Sequence, residues 1–328
     1  MKVSVSVITY NQEEFIAQAI DSILRQEVSF DYEIVIGEDA STDRTREIVL
    51  ELERRHPDRI RVMLRDAGTS ERDRARGLGG KTNFVQGIQD CRGKYVALLD
   101  GDDYWTDSHK LQKQVDFLER HPECSLCFHN AEMFYEDGSQ SSMNLRPADQ
   151  KEISTVEDII AGMVPIPCTV LFRNNLLGEL PESFDRVANG DWMFFVLLAE
   201  HGSIGYINEV MAAYRMHAGG FWSRLTAQQR VKEHINTYQT INAHLNFKYD
   251  RVISEKIAEL PKRQNEQRAR SCLDQYHKLV QRGEIKKGLR LLWQATHSAP
   301  LEVLRPRRLA SVLKNGLLGI LRKNSVQN

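Results

Sequence analysis

The chain has 328 residues, of which 41% are hydrophobic and 27% charged, and its formal net charge is -1. That length can bury one large α/β core with an appendage, or two ordinary domains, and the near-neutral balance argues against a general nucleic-acid binder. No run reaches the roughly 18 apolar residues a bilayer span needs.

The opening "MKVSVSVITYN" lacks the apolar core and small-residue cleavage site of a secretory leader and reads as a first strand. In "NQEEFIAQAIDSILRQ", Phe15, Ile16, Ala19, Ile20, Ile23 and Leu24 fall at helical spacing. "YEIVIGEDAS" is a second strand ending in acid, followed by the amphipathic "TDRTREIVLELERRHPD", which Ser41 or Thr42 could cap. "IRVMLRD" is the third strand. Residues 66–82, polar, basic and glycine-rich, predict a mobile loop. Asn83 to Cys91 reads as a helix and Tyr95 to Leu99 as the next strand. Strands alternating with helices predict a mostly parallel sheet with helices on both faces, whose ligands gather at the carboxyl ends of the strands.

Downstream, "HKLQKQVDFLERHPE" is helical, "CSLCFHNAEMFYED" and "PCTVLFRNNLL" are strand-like, "DWMFFVLLAEH" is an apolar helix opened by acid, and "IGYINEVMAAYRMH" is strand material. The expected division is an α/β domain over 1–225 and a helical, basic region over 226–328. From Gln281 to Asn328 there are ten Lys/Arg against two Glu, mixed with leucine. Such a segment suits an anionic membrane surface, a second subunit or packing on the main domain.

The five cysteines are scattered and odd in number, which argues against a disulfide framework and for a reducing, cytoplasmic setting, peripheral to the membrane if the tail binds lipid. Cys124 and Cys127 form a C-x-x-C, but no second ligand pair follows at zinc spacing, so they read as core residues.

The stretch "YVALLDGDDYW" places Asp100, Asp102 and Asp103 at the end of a strand. Clustered carboxylates repel unless protonated or neutralised, and a hard cation such as Mg²⁺ or Mn²⁺ takes such oxygens together with substrate phosphates. An Asp-rich turn that caps the next helix is the plainer alternative. A second acidic group, Glu38, Asp39 and Asp43, also follows a strand and would share the same rim, where carboxylates can accept from ribose hydroxyls or a base N–H. One of the three should cap the following helix. "GLGGKT" resembles the end of a P-loop, but its first glycine position is Ala75 and no strand leads into it, so that reading is rejected. Lys81, or Arg72, Arg74 and Arg76, remain candidates for a diphosphate.

Taken in order, "VSVITYNQEEFIAQAIDSIL", "EIVIGEDASTD", "NFVQGIQDCRGKYVALLDGDDYW", "NGDWMFF" and "YRMHAGG" resemble the family-2 inverting glycosyltransferases of GT-A fold, over about residues 2 to 222. The resemblance implies a nucleoside diphosphate sugar donor, expected to be a UDP-sugar, a divalent metal (Mn or Mg), and an acceptor hydroxyl on a saccharide or lipid-linked glycan of surface polysaccharide assembly. It implies that Thr9 and Asp39, with Glu38 beside them, hold the nucleoside. Asp100 would reach the ribose, Asp102 and Asp103 the metal with His217 nearby, and Asp191 would be the general base. The family's usual acid before that base is absent here, where Gly190 stands. Asp191 is equally suited to capping its helix. Trp105, Trp192 and Trp222 lie near these positions and could offer faces to sugar rings, Trp192 and Trp222 on the acceptor side, although core packing suits each as well. The rival readings are a non-catalytic nucleotide or glycan-binding module and, more weakly, a sugar-nucleotide pyrophosphorylase.

Overall fold

The structure, a computed structural model, describes residues 1–77, 79–282, 284–299 and 312. In chain order the elements are β1 (Val3–Thr9), α1 (Ile16–Leu24), β2 (Tyr32–Glu38), α2 (Thr45–Arg55), β3 (Ile60–Leu64), α3 (Ala67–Ala75), α4 (Lys81–Gln89) and β4 (Tyr95–Asp100). There follow β5 (Tyr104–Trp105), α5 (Lys110–Arg120), β6 (Cys124–Tyr135), the short β7 (Met143–Asn144) and β8 (Ile153–Ser154), α6 (Val156–Ile160), β9 (Leu171–Arg173), α7 (Gly190–Ala199) and β10 (Ser203–Met216). Helices α8 (Phe221–Arg224), α9 (Ala227–His244), α10 (Asp250–Gln281) and α11 (Ile285–Ser298) complete the described chain.

The valine–serine alternation of β1 has a physical reading. Val3, Val5 and Val7 are wholly buried in the main core with Ile16, Ala19, Ile20 and Ile23 of α1. On the opposite face Ser4 donates to Glu33 at 2.6 Å and accepts from the Arg92 and Gly93 amides at 3.0 and 2.8 Å. Gly87 of α4 packs so closely on Ser6 that a Cβ there would lie 2.8 Å from its hydroxyl. A strand covered on both faces is the rule for a parallel sheet, and here the small polar residues admit the close approach of α4. Each fully buried isoleucine of α1 contributes about 1.5–3 kcal/mol to holding that helix on the sheet.

The strand order is β3-β2-β1-β4-β9-β6-β10-β5, with β7 and β8 paired at the side. The pairs among β3, β2, β1 and β4 are parallel, as is β6 with β10, while β9 runs antiparallel to both of its neighbours and β5 antiparallel to β10. The expected mostly parallel sheet with flanking helices is the one observed.

Residues 66–82 differ from the expected mobile loop. Asp66 accepts from the Thr69 amide at 2.8 Å and caps α3, a helix with no apolar stripe that periodicity could reveal. Asp43 binds the Thr45 amide at 2.9 Å and the Glu13 amide at 3.1 Å, so it supplies the α2 entry contact rather than Ser41 or Thr42. All five cysteines are free and buried.

Two compact units are defined by their internal contacts. The first contains residues 1–226 and 236–253, so the C-terminal half of α9 and the start of α10 belong to the α/β unit. The second contains 227–235 and the chain from 254 on, and its core includes Ala269, Leu273, Tyr276 and Ala295. In α11, Leu289 and Trp293 are exposed among Lys286 and Arg290. The leucine-rich tail over 300–328 lies outside the described residues, apart from Val312. Among the described residues, no helix is long and apolar enough to cross a membrane.

Candidate active site

Strand register builds the site. Thr9 is paired with Glu38 across β1 and β2, and Ile8 with Asp100 across β1 and β4, so both acidic clusters end on one rim. The loops that leave this rim are laced together: the Gln12 amide donates to the Thr45 hydroxyl at 2.8 Å, and the Asn11 side chain accepts from the Thr42 amide at 2.8 Å. Asn11 and Ala40 hold positive φ values of 51° and 59°, a conformation that non-glycine residues adopt only when their surroundings impose it.

Of the expected nucleoside residues, Thr9 is buried and its hydroxyl donates to Gln12 Oε1 at 2.8 Å. Glu38 is sealed under the rim, where it accepts from the Ser41 amide and from Arg46 Nε, each at 2.6 Å. Those bonds hold the turn into α2, and Glu38 is thereby a support of Asp39. Asp39 receives the Ser70 hydroxyl from α3, and Arg74 reaches it at 3.3 Å while lying 4.2 Å over the Tyr10 ring. Burial raises the Asp39 carboxyl above its ordinary range against the opposing pull of Ser70 and Arg74. Arg74 therefore sits beside Asp39 on the rim. Sequence reasoning missed Ser70 altogether, because a hydroxyl in an apparent loop carries no signal.

At the end of β4, the Gly101 amide bonds Ile8 O at 2.9 Å and the Asp103 amide bonds Asp100 O at 3.0 Å, closing a tight acidic turn. A Cβ at Gly101 would lie 2.5 Å from Gln12 Oε1 and 2.9 Å from Ile16 Cδ1, so only glycine lets the turn press against α1. Carboxylate oxygens of Asp100, Asp102 and Asp103 all lie within 4.8 Å of one another. Asp102 also meets His217 Nε2 at 2.9 Å. Asp103 accepts from the Arg215 amide at 2.8 Å, and its second oxygen is buried without a hydrogen-bond partner. Desolvation first, then the charges of Asp102 and Asp191, push the Asp100 carboxyl up to about 8, and Asp103 is raised by burial and by its two neighbours. A convergent set of hard oxygens with one orphaned buried lone pair fits a divalent cation such as Mg²⁺ or Mn²⁺. The same repulsion yields a test. Asp103→Asn keeps the shape of the side chain and removes a carboxyl whose charged form is disfavoured by burial and by its neighbours, so the metal-free protein is expected to be more stable, read as a higher melting temperature where the carboxyls are charged.

Asp191 opens α7, half-buried, with Oδ1 accepting its neighbour Trp192's amide at 2.8 Å. Burial lifts its pKa above the usual carboxylate range. Its approach is held from an unexpected direction. Lys81 at the start of α4 is buried, and its ammonium donates to Phe184 O at 2.8 Å and to Val187 O, in the segment that leads into Asp191. The structure thus spends Lys81 on backbone carbonyls rather than presenting it to a diphosphate. Gly190 is packed against that lysine, since a Cβ there would lie 3.5 Å from Lys81 Cε and 3.3 Å from the Phe184 ring.

Trp192 is not an open platform for an acceptor. It is 6% exposed and meets Tyr238 edge-on at 4.7 Å, because α7 is apolar on every side and lies within the unit. Trp105 is likewise core, its indole donating to Cys168 O at 2.9 Å with Lys110 Nζ 3.7 Å over the ring. The Trp222 side chain lies outside the described residues.

A mostly parallel sheet flanked by helices, with an acidic turn at the end of its fourth strand, is the GT-A architecture. A family profile described as "Glycosyl transferase family 2" matches residues 4–180, more than half of the chain, and the chain belongs to that family. An uncharacterized protein of Mycobacterium tuberculosis is 36% identical over 228 residues, covering 69% of this chain and 62% of that protein. The chain therefore spans less than two thirds of that relative's length. A putative teichuronic acid biosynthesis glycosyltransferase of Bacillus subtilis is 28% identical over 215 residues, 65% of this chain and 79% of that one. Among solved structures, the mannosyltransferase PcManGT from Pyrobaculum calidifontis in complex with GDP-Man and Mn²⁺ aligns with TM-score 0.57 at 16% identity, over 97% of this chain and 80% of that one. That likeness concerns the fold.

Proposed function

We propose that this protein is a metal-dependent inverting glycosyltransferase, moving a sugar from a nucleoside diphosphate donor, a UDP-sugar in our reading, to a hydroxyl of a glycan or lipid-linked acceptor. The observation that carries the reading is the convergence of Asp100, Asp102 and Asp103 within 4.8 Å at the carboxyl end of β4, close enough to Asp191 for that charge to act on Asp100. Thr9 and Asp39 face the nucleoside, Asp100 the ribose, and Asp102 and Asp103, with His217, the cation. When bound, the cation would neutralise charge developing on the leaving diphosphate. Asp191, on the far side of the anomeric carbon, would take the acceptor proton as the new bond forms. Because Ser70 and Arg74 hold Asp39 in this structure, α3 must yield part of that contact when a base enters.

The putative role of the Bacillus relative in teichuronic acid biosynthesis supports assembly of a surface polysaccharide. The exposed Leu289 and Trp293 beside Lys286 and Arg290 suit attachment of the enzyme at an anionic membrane surface where a lipid-linked acceptor resides. The test is a thermal-shift panel of UDP, dTDP, GDP and CDP, each with and without Mn²⁺ or Mg²⁺. Binding to the folded state alone stabilises it by about 2.7 kcal/mol at a hundred times Kd. One nucleotide is expected to raise the melting temperature by several degrees only with metal present. A panel without any shift refutes the donor site.

A further inference from the structure

Arg215 lies two residues before His217 on β10, 5% exposed in its side chain, and every edge of its guanidinium is engaged. Nε donates to the backbone oxygen of Asp102 at 2.8 Å, one terminal nitrogen pairs with Glu136, and the other donates to Gln18 Oε1 at 2.6 Å. The guanidinium carbon lies 4.5 Å from the Phe15 ring centre, 5.0 Å from Phe134 and 5.5 Å from Tyr104. The backbone amide of the same residue donates to Asp103 Oδ1 at 2.8 Å. Strand pairing explains the position: Tyr104 is opposite Ala213 and Trp105 opposite Ala212 in the β5–β10 ladder, so continuing the register brings Arg215 against the acidic turn.

From this geometry we infer that Arg215 is a positioning residue for the cation site, setting the angle at which Asp102 and Asp103 present their oxygens. The inference rests on the donor-site reading above. Arg215 touches the backbone of one aspartate and the carboxylate of the next, and its strand carries the histidine that pairs with the first. It joins these groups to α1 through Gln18 and to the end of β6 through Glu136. A planar fork with three separate directions of donation, enclosed by aromatic faces, fixes an orientation that a lysine's single ammonium cannot reproduce. Groups that orient metal ligands without touching the metal commonly contribute a further ten- to hundredfold in metal affinity.

The experiment measures Mn²⁺ binding by loss of the free-ion EPR signal, on the full chain, with Mn²⁺ alone and again with UDP present. The variants are Arg215→Lys and the double variant Gln18→Ala/Glu136→Gln. Gln18 is exposed and Glu136 partly exposed, so the double variant removes the anchors without opening the core. Mn²⁺ affinity is expected to fall about tenfold to a hundredfold in Arg215→Lys, and by less in the double variant. The melting temperature of the metal-free double variant should be unchanged while its Mn²⁺ affinity falls, a split that a purely structural arginine would not produce. Should Arg215→Lys fail to fold, the double variant carries the test. Mn²⁺ binding of wild-type strength in a folded variant overturns the inference alone. An absence of Mn²⁺ binding in the wild type, with or without UDP, overturns the inference together with the donor-site reading.

Discussion

Asp191→Asn is expected to lower the turnover number by about 10²- to 10⁴-fold, the usual contribution of a positioned general base, while donor binding persists. Asparagine keeps the size of the side chain and its bond from the Trp192 amide, so the first turn of α7 and the fold around it are preserved. What is lost is the ability to take the proton of an attacking hydroxyl. Sugar transfer and metal-dependent donor binding, measured on the same preparation, separate the two roles: a protein in which Asp191 only caps a helix would retain turnover. The pH profile provides an independent readout. Burial holds the Asp191 pKa above the usual value near 4, and in the proposed mechanism the charged form would be the base. Turnover in the wild type should therefore rise with pH through an inflection above that value and be lost as pH falls through it. In Asp191→Asn that inflection should vanish.

The parts of this site that could be read from sequence are those whose signal is local. Alternating Val and Ser in β1, the apolar stripe of α1 and the runs ending at Glu38 and Asp100 reveal a parallel sheet and put the acids on one rim, where strand register places them level. Helix α3 was hidden because "AGTSERDRA" has no apolar face; its attachment comes from Asp66 at its start and from Ser70 and Arg74 bonding to Asp39. Lys81 reads as a loop cation, yet its partners are carbonyls 103 and 106 residues further along. Arg215 lies within the recognisable "YRMH", but its partners Glu136 and Gln18 are 79 and 197 residues away. A buried cation advertises its chemistry and conceals its partner, which only the packed chain supplies. The tryptophans show the converse. Proximity in sequence to Asp103 and Asp191 suggests sugar platforms, whereas Trp105 and Trp192 are enclosed by Cys168 and Lys110 or by Tyr238.

Asp102→Ala should abolish the metal-dependent part of nucleotide binding, and with it transfer. Asp102 has two attachments that bear on the site: its carboxylate pairs with His217 at 2.9 Å, and its backbone oxygen holds Arg215 at 2.8 Å. Alanine removes the first and preserves the second, so the turn from Asp100 to Asp103 remains closed by its own backbone bonds to Ile8 and Asp100. The fold should survive, relieved of one carboxylate that repels Asp100 and Asp103. A cation left with Asp103, Asp100 and an unpaired His217 loses its most accessible oxygen ligand, and the stabilisation of roughly 2.7 kcal/mol expected at a hundred times Kd should disappear from the panel. The outcome to measure is the melting temperature with the selected nucleotide, with and without Mn²⁺. In wild type the two curves should differ by several degrees, and in Asp102→Ala they should superimpose. If the variant keeps the full Mn²⁺-dependent shift, the cation is held elsewhere, and the acidic turn serves the ribose and the helix that follows it.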